Sequence, residues 1–109
     1  GQSIAAGETI VVAKTAATYA ALPGVQVFQW TSGDLSNGGE TLTIKDASGN
    51  VIDQVAYDDD GAAVPPWPTT PDGGGPSLSL LTTSSNNNVA SSWAASTQNG
   101  GTPGAVNFP

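Results

Sequence analysis

Three consecutive aspartates, Asp58, Asp59 and Asp60, followed by Gly61, are the residues of this chain best suited to chemistry. Adjacent carboxylates supply hard oxygen ligands of the kind Ca²⁺ takes, and Gly61 permits a sharp turn behind them. Asp53 and Asp72 are candidate additional ligands. The run lacks the D-x-D-x-D-G spacing and the distal Glu of an EF-hand. Consecutive side chains in an extended segment also point to opposite sides. Acidic runs ordinarily form solvated faces, so two readings stand: no cofactor at all, or Ca²⁺ held with weak, extracellular-type affinity.

Trp30, Trp67 and Trp93, with Tyr57, could stack on sugar rings if they were exposed and coplanar. A chain this poor in aromatics needs them for its core, because Trp buries the most area per residue. Core or loop anchor is the preferred reading, and solvent quenching of Trp fluorescence would separate the two. The catalytic inventory is thin. The chain has no His and no Cys, which removes the usual general base, the commonest metal ligand and the strongest nucleophile. No serine sits in a G-x-S-x-G elbow, both lysines read as surface charge at strand ends, and the acids are scattered over loops. A glycosidase-type carboxylate pair would need a cleft-forming scaffold that a chain of this size does not suggest. An enzyme is not expected.

The chain of 109 residues suffices for one domain with a modest core. Its nine acids and two lysines, without arginine, leave a formal charge of -7. A duplex-binding surface needs clustered Lys or Arg, as does attachment to an anionic leaflet, so neither nucleic acid nor a membrane surface is an expected partner. No apolar run approaches spanning length. The absence of cysteine excludes a disulfide framework. Acidic, Cys-free chains rich in Gly, Ser, Thr and Asn are common among secreted bacterial modules. The abrupt polar start at Gly1 suggests a piece of a longer protein.

Those residues must be positioned by β-structure. Residues 35–57, LSNGGETLTIKDASGNVIDQVAY, read as a hairpin. In 40–45, polar residues alternate with Leu42 and Ile44, the period of a strand with one buried face. Asp46, Gly49 and Asn50 supply turn chemistry. In the return strand 51–57, Val51, Asp53, Val55 and Tyr57 share one face, and burying that face gains more apolar area than burying Ile52, Gln54 and Ala56. Asp53 is then expected near a rim or hydrogen-bonded. Further strands are expected at 9–13, 25–30 and 77–81, the last with Leu78 and Leu80 inward, and a short strand or turn at 89–93. Residues 14–22 read either as a helical turn or two, ended by Pro23-Gly24, or as an irregular crossover. The segment 58–76, with five prolines and four glycines, should be a long loop tethered by Trp67, and 99–109 a tail. Short strands at intervals of about ten residues, with turns between them, predict an all-β sandwich with very low helix content.

From Gly7 onward the chain resembles the lamin-tail domain, an immunoglobulin-like β-sandwich, in its bacterial form. The matching features are AAGETIVVAK at 5–14, LSNGGETLTIKDASGNVIDQVAYDD at 35–59, PWP at 66–68, DGGGPSLSLL at 72–81, Trp93, and GGTPGAVN at 100–107. Their order and spacing cover nearly the whole chain, and the pairing of LSNGGETLTIKDASGN with TPGAVN is the most specific part. The family opens with a strand pair carrying an E-(I/L)-x-N-type segment and a Gly-Trp turn, which has no counterpart ahead of Gly1. A domain lacking those strands would leave an uncovered edge or an open core face, which invites a homodimer or a strand-swapped contact.

The resemblance implies one lamin-tail-like domain over 1–109, incomplete at its N-terminus. It further implies a non-catalytic accessory module of a larger extracellular or cell-surface bacterial protein, mediating protein interaction, attachment or the spacing of flanking domains. The alternative is a calcium- or carbohydrate-binding module using Asp58, Asp59, Asp60 and the tryptophans. Nuclear lamina function does not carry over, and a fold-level likeness cannot supply a ligand.

Overall fold

The computed structural model describes residues 2–59 and 61–106. Its regular structure is almost all β. Strands β1 (Ile10–Ala13), β2 (Gln26–Gln29), β3 (Glu40–Lys45), β4 (Val51–Tyr57), β5 (Pro76–Leu80) and β6 (Trp93–Asn99) are accompanied by two short 3₁₀ turns, Ala16–Tyr19 and Ala90–Ser92. The strands pair as three separate two-stranded sheets, β1–β2, β3–β4 and β5–β6. The chain divides into two compact units, residues 2–34 with 102–106, and residues 35–101.

In the first unit β1 and β2 are parallel, with Ile10 opposite Gln26 and Val12 opposite Phe28. Parallel strands need a crossover, and residues 14–25 provide it. The helical expectation for 14–22 reduces to the single 3₁₀ turn, consistent with β-branched Thr15 and Thr18 disfavouring a longer helix. Gln29 fastens this crossover to the end of β2. Its side-chain amide donates to the Lys14 carbonyl, and its oxygen accepts the Ala16 amide at 2.9 Å. β1 is less buried than its apolar sequence suggests: Ala13 is buried, but Val12 is 53% exposed. The segment expected as a tail closes a turn of its own, with the Ala105 amide donating to the Thr102 carbonyl at 3.0 Å.

In the second unit β3 and β4 form the expected hairpin, with Glu40 opposite Tyr57, Leu42 opposite Val55 and Ile44 opposite Asp53. Opposed residues in an antiparallel pair share a face, so Leu42, Val55 and Tyr57 lie together, and all three are half-buried. Two positions expected on the buried face are not buried. Ile44 is 59% and Val51 54% exposed. Both sit at the turn end, next to a register shift between Ile44 and Lys45. There the hairpin reaches past whatever covers Leu42. Asp53 is hydrogen-bonded as expected: Asn87 Nδ2 donates to its two oxygens at 2.8 and 2.7 Å.

β5 and β6 form a second antiparallel hairpin, with Leu78 opposite Ala95 and Leu80 opposite Trp93. β5 begins at Pro76, a position where a strand tolerates a residue that cannot donate. The face expected to be polar and exposed is covered. Ser79 and Ser96 are buried, and their small hydroxyls find protein partners: Ser77 and Ser79 lie 3.1 Å apart, and Ser96 Oγ accepts the Ser77 amide at 2.9 Å. Of the two alternatives for 89–93 the turn holds, and the last strand lies downstream of it. Trp93 opens that strand rather than ends it, and residues 90–92 form a 3₁₀ turn.

Candidate binding cleft

The second unit carries a cleft of about 410 Å³ whose floor comes from all four of its strands: Leu42, Val55 and Tyr57, Leu78, and Trp93. Residues i and i+2 of a strand project to one side, which is why β4 offers both Val55 and Tyr57. One wall is Leu35, Ser36 and Asn37. Asp58 and Asp59, immediately past β4, also line it, with Pro68, Pro71 and Asp72 of the long loop.

Each wall is held by specific bonds. The Tyr57 hydroxyl donates to the Ser36 carbonyl at 2.9 Å and lies 3.2 Å from Glu40 Oε1, which also accepts the Ser36 amide at 2.6 Å. Burial first, then the hydrogen bond and negative charge of Glu40 and the charge of Asp59, push the Tyr57 phenol above its ordinary value. Gly39 makes the approach of this wall possible. Its φ is +89°, and a Cβ there would stand 2.5 Å from the Tyr57 carbonyl oxygen. On the loop side, Trp67 is 6% exposed and its ring centroid is 6.1 Å from that of Trp93, tilted by 39°. Trp93 in turn donates its indole N–H to the Asn87 carbonyl at 2.7 Å. The Asp72 amide bonds the Thr69 carbonyl at 3.0 Å, closing the turn that presents Asp72.

Of the candidate metal ligands, Asp58 and Asp59 line the cleft together with Asp72, while Asp53 is engaged by Asn87. Asp60 lies outside the described residues. Among the described residues no group of three His, Cys, Asp or Glu side chains is arranged to hold a metal ion. The tryptophans do not form an open platform. Trp67 is a loop anchor packed on Trp93, and Trp30 belongs to the first unit, where its indole N–H donates to the Ser32 carbonyl at 2.5 Å.

Leu35 stands out in the sequence as the one apolar anchor of the turn segment 31–39, but sequence reasoning missed the wall residues Ser36 and Asn37 and the meeting of Leu42, Val55 and Leu78. The period-two pattern marked those three as inward-facing but could not show that one cavity collects them. Chemically, the arrangement joins an aliphatic and aromatic floor to a carboxylate rim, with no basic residue among those lining it. That combination suits a ligand with an apolar body. No helix among the described residues is long and apolar enough to cross a membrane. Compared with protein-family models, with curated proteins and with solved structures, the chain finds no match in any of the three.

Proposed function

We propose that this chain is a non-catalytic interaction module whose cleft receives part of a partner protein or of a neighbouring domain. The observation that carries the reading is the cleft's floor, where Leu42, Val55, Leu78 and Trp93 line an opening of about 410 Å³. That volume falls within the range of about 300–1,000 Å³ typical of ligand sites, and such sites are mostly apolar with a few polar groups at the margin. The likeness of residues 5–14, 35–59 and 100–107 to the lamin-tail family supports an immunoglobulin-like sandwich in which β3–β4 and β5–β6 are partial layers. In that reading the module serves a secreted or cell-surface bacterial protein. Two-stranded sheets keep unpaired edges, which suits strand addition by a partner or a second copy.

The test is a titration of the full chain, isotope-labelled at Leu and Val methyls, with short peptides of mixed composition. Saturable shifts confined to Leu42, Val55 and Leu78 are expected. Methyls that stay in place at millimolar peptide would remove the reading.

A second reading, a calcium site, rests on Asp58, Asp59 and Asp72 lining the same cleft, and it requires them to draw together on binding, since they are not grouped to hold an ion as they stand. If Ca²⁺ bound with a dissociation constant of about 1 mM, about 10 mM of the ion would stabilise the native state by about 1.4 kcal/mol. A melting temperature unmoved by CaCl₂ at matched ionic strength would exclude it.

A further inference from the structure

We propose that the cleft takes an extended, basic peptide segment of a partner protein, one in which Lys or Arg alternates with apolar residues. This rests on the interaction-module reading and names the chemistry of its partner.

Two independent features of the cleft point to that occupant. Its floor is apolar and is contributed by residues two apart on β4 and by single inward residues of β3, β5 and β6. An extended peptide has the same spacing, with alternate side chains projecting to one side about 7 Å apart. The volume of about 410 Å³ holds a few side chains, not a folded domain.

The rim supplies the charge. Asp58 and Asp59 leave the end of β4 on one strand's continuation, and Asp72 arrives separately on the Pro/Gly loop. No basic residue lines the cleft, and the chain as a whole carries a formal charge of -7 with no arginine. Low-dielectric walls beside like charges concentrate the field, and the Asp59 charge is already felt by the Tyr57 hydroxyl. In such a segment the apolar side chains face the floor, and the intervening lysine or arginine side chains, which leave from the other side, are long enough to bend back and set their charged heads at the carboxylate margin. A bare divalent ion would use only the rim and leave the floor empty. Anionic partners, nucleic acid and acidic lipid surfaces among them, are opposed by the sign of the charge.

The experiment uses the full chain and three capped hexapeptides: Leu alternating with Lys, with Gln, or with Glu. The readouts are methyl shifts of Leu42, Val55 and Leu78 and the change in Trp emission on titration. The Lys peptide is expected to shift the cleft methyls saturably and to bind about tenfold more tightly than the Gln peptide, with the Glu peptide weaker still. The double variant Asp59→Asn, Asp72→Asn should lose about tenfold in affinity for the Lys peptide and little for the Gln peptide. Glu8→Gln in the first unit removes the same kind of charge outside the cleft and should leave binding unchanged. Unchanged melting of the double variant would show that the loss is not one of folding.

If all three peptides move the cleft methyls equally, or the double variant binds the Lys peptide as well as before, the basic-peptide inference is overturned while the interaction module stands. If Glu8→Gln weakens binding as much as the double variant, the attraction is diffuse and the inference is again overturned. If CaCl₂ alone moves the amides of Asp58 and Asp59 and no peptide moves any cleft methyl, both readings fall in favour of a cation site.

Discussion

The carboxylate of Asp46 carries the tip of the β3–β4 hairpin. Its Oδ1 accepts the amides of Ser48 and Asn50, both at 2.9 Å, and its Oδ2 accepts the Asn50 side-chain amide at 2.9 Å. The Asn50 bonds, followed by those of Ser48 and Gly49, hold the Asp46 carboxyl below its ordinary value. A depressed native value means that the stabilisation is present above the unfolded value of about 3.9 and is lost as pH falls through the native one. An NMR titration should place the Asp46 midpoint below the ordinary aspartate value of about 3.9, and in Asp46→Ala the Ser48 and Asn50 amides should exchange faster at neutral pH. A midpoint at or above that of an unpaired aspartate would contradict this. Two glycines of the same hairpin separate backbone strain from steric conflict. Gly39 and Gly49 have nearly equal φ, +89° and +87°, but only Gly39 has backbone where a Cβ would go. Gly49→Ala should cost about 1–2 kcal/mol, the price of a left-handed alanine. Gly39→Ala should cost more, because the Tyr57 carbonyl must also move. Urea denaturation of the two variants tests the order, and equal costs would show that the chain around Tyr57 yields freely.

At the level of elements, the long loop and the β5–β6 hairpin are held to each other by two indoles. Trp67 is one of only three buried apolar residues among those described, with Ala13 and Ala90. The unit containing it therefore has few other large side chains to replace its contribution. Trp67→Ala is expected to destabilise by about 3–5 kcal/mol, the usual cost of emptying a buried aromatic site. That is a large share of the about 5–15 kcal/mol by which domains are ordinarily stable. It should also release Pro68, Pro71 and Asp72 from the cleft rim. Trp67→Phe keeps a ring against Trp93 and should retain most of the stability. Urea midpoints read by circular dichroism distinguish the two variants, and equal midpoints for Trp67→Ala and the parent chain would mean that the loop is anchored elsewhere.

For the whole molecule, charge outweighs specific ion pairing. The one ion pair found among the described residues joins Lys14 to Asp34 at 2.5 Å, with side chains 62% and 78% exposed. Exposed pairs of this kind contribute about 0–1 kcal/mol. A formal charge of -7 spread over 109 residues therefore leaves net repulsion in the compact state. Raising salt from about 10 mM to about 150 mM shortens the screening length from about 30 Å to about 8 Å. The melting temperature should rise over that interval, measured with a neutral 1:1 salt such as NaCl. A fall would mean that attractive surface pairs, not self-repulsion, dominate.

Local chemistry made the β3–β4 hairpin legible in the sequence. Period-two alternation around Leu42, the turn residues Asp46, Gly49 and Asn50, and β-branched Val51, Ile52 and Val55 all act between near neighbours. β6 was not legible, because Ala94, Ala95 and Ser96 have little strand preference of their own, and pairing with β5 makes them a strand. Burial was legible only by face. The pattern groups Ile44 with Leu42, yet one is exposed and the other half-buried, since cover depends on what arrives from distant parts of the chain. By itself, then, the sequence determined the β class, the turn at Asp46, the sign of the charge and the carboxylates worth watching. Only the tertiary structure decided that Asp58, Asp59 and Asp72 border one apolar cleft with Leu42, Val55, Leu78 and Trp93. Hydrogen-bonded turns and side-chain alternation are near-neighbour effects. Convergence of residues far apart in the chain appears only once the hairpins and the loop have been brought together.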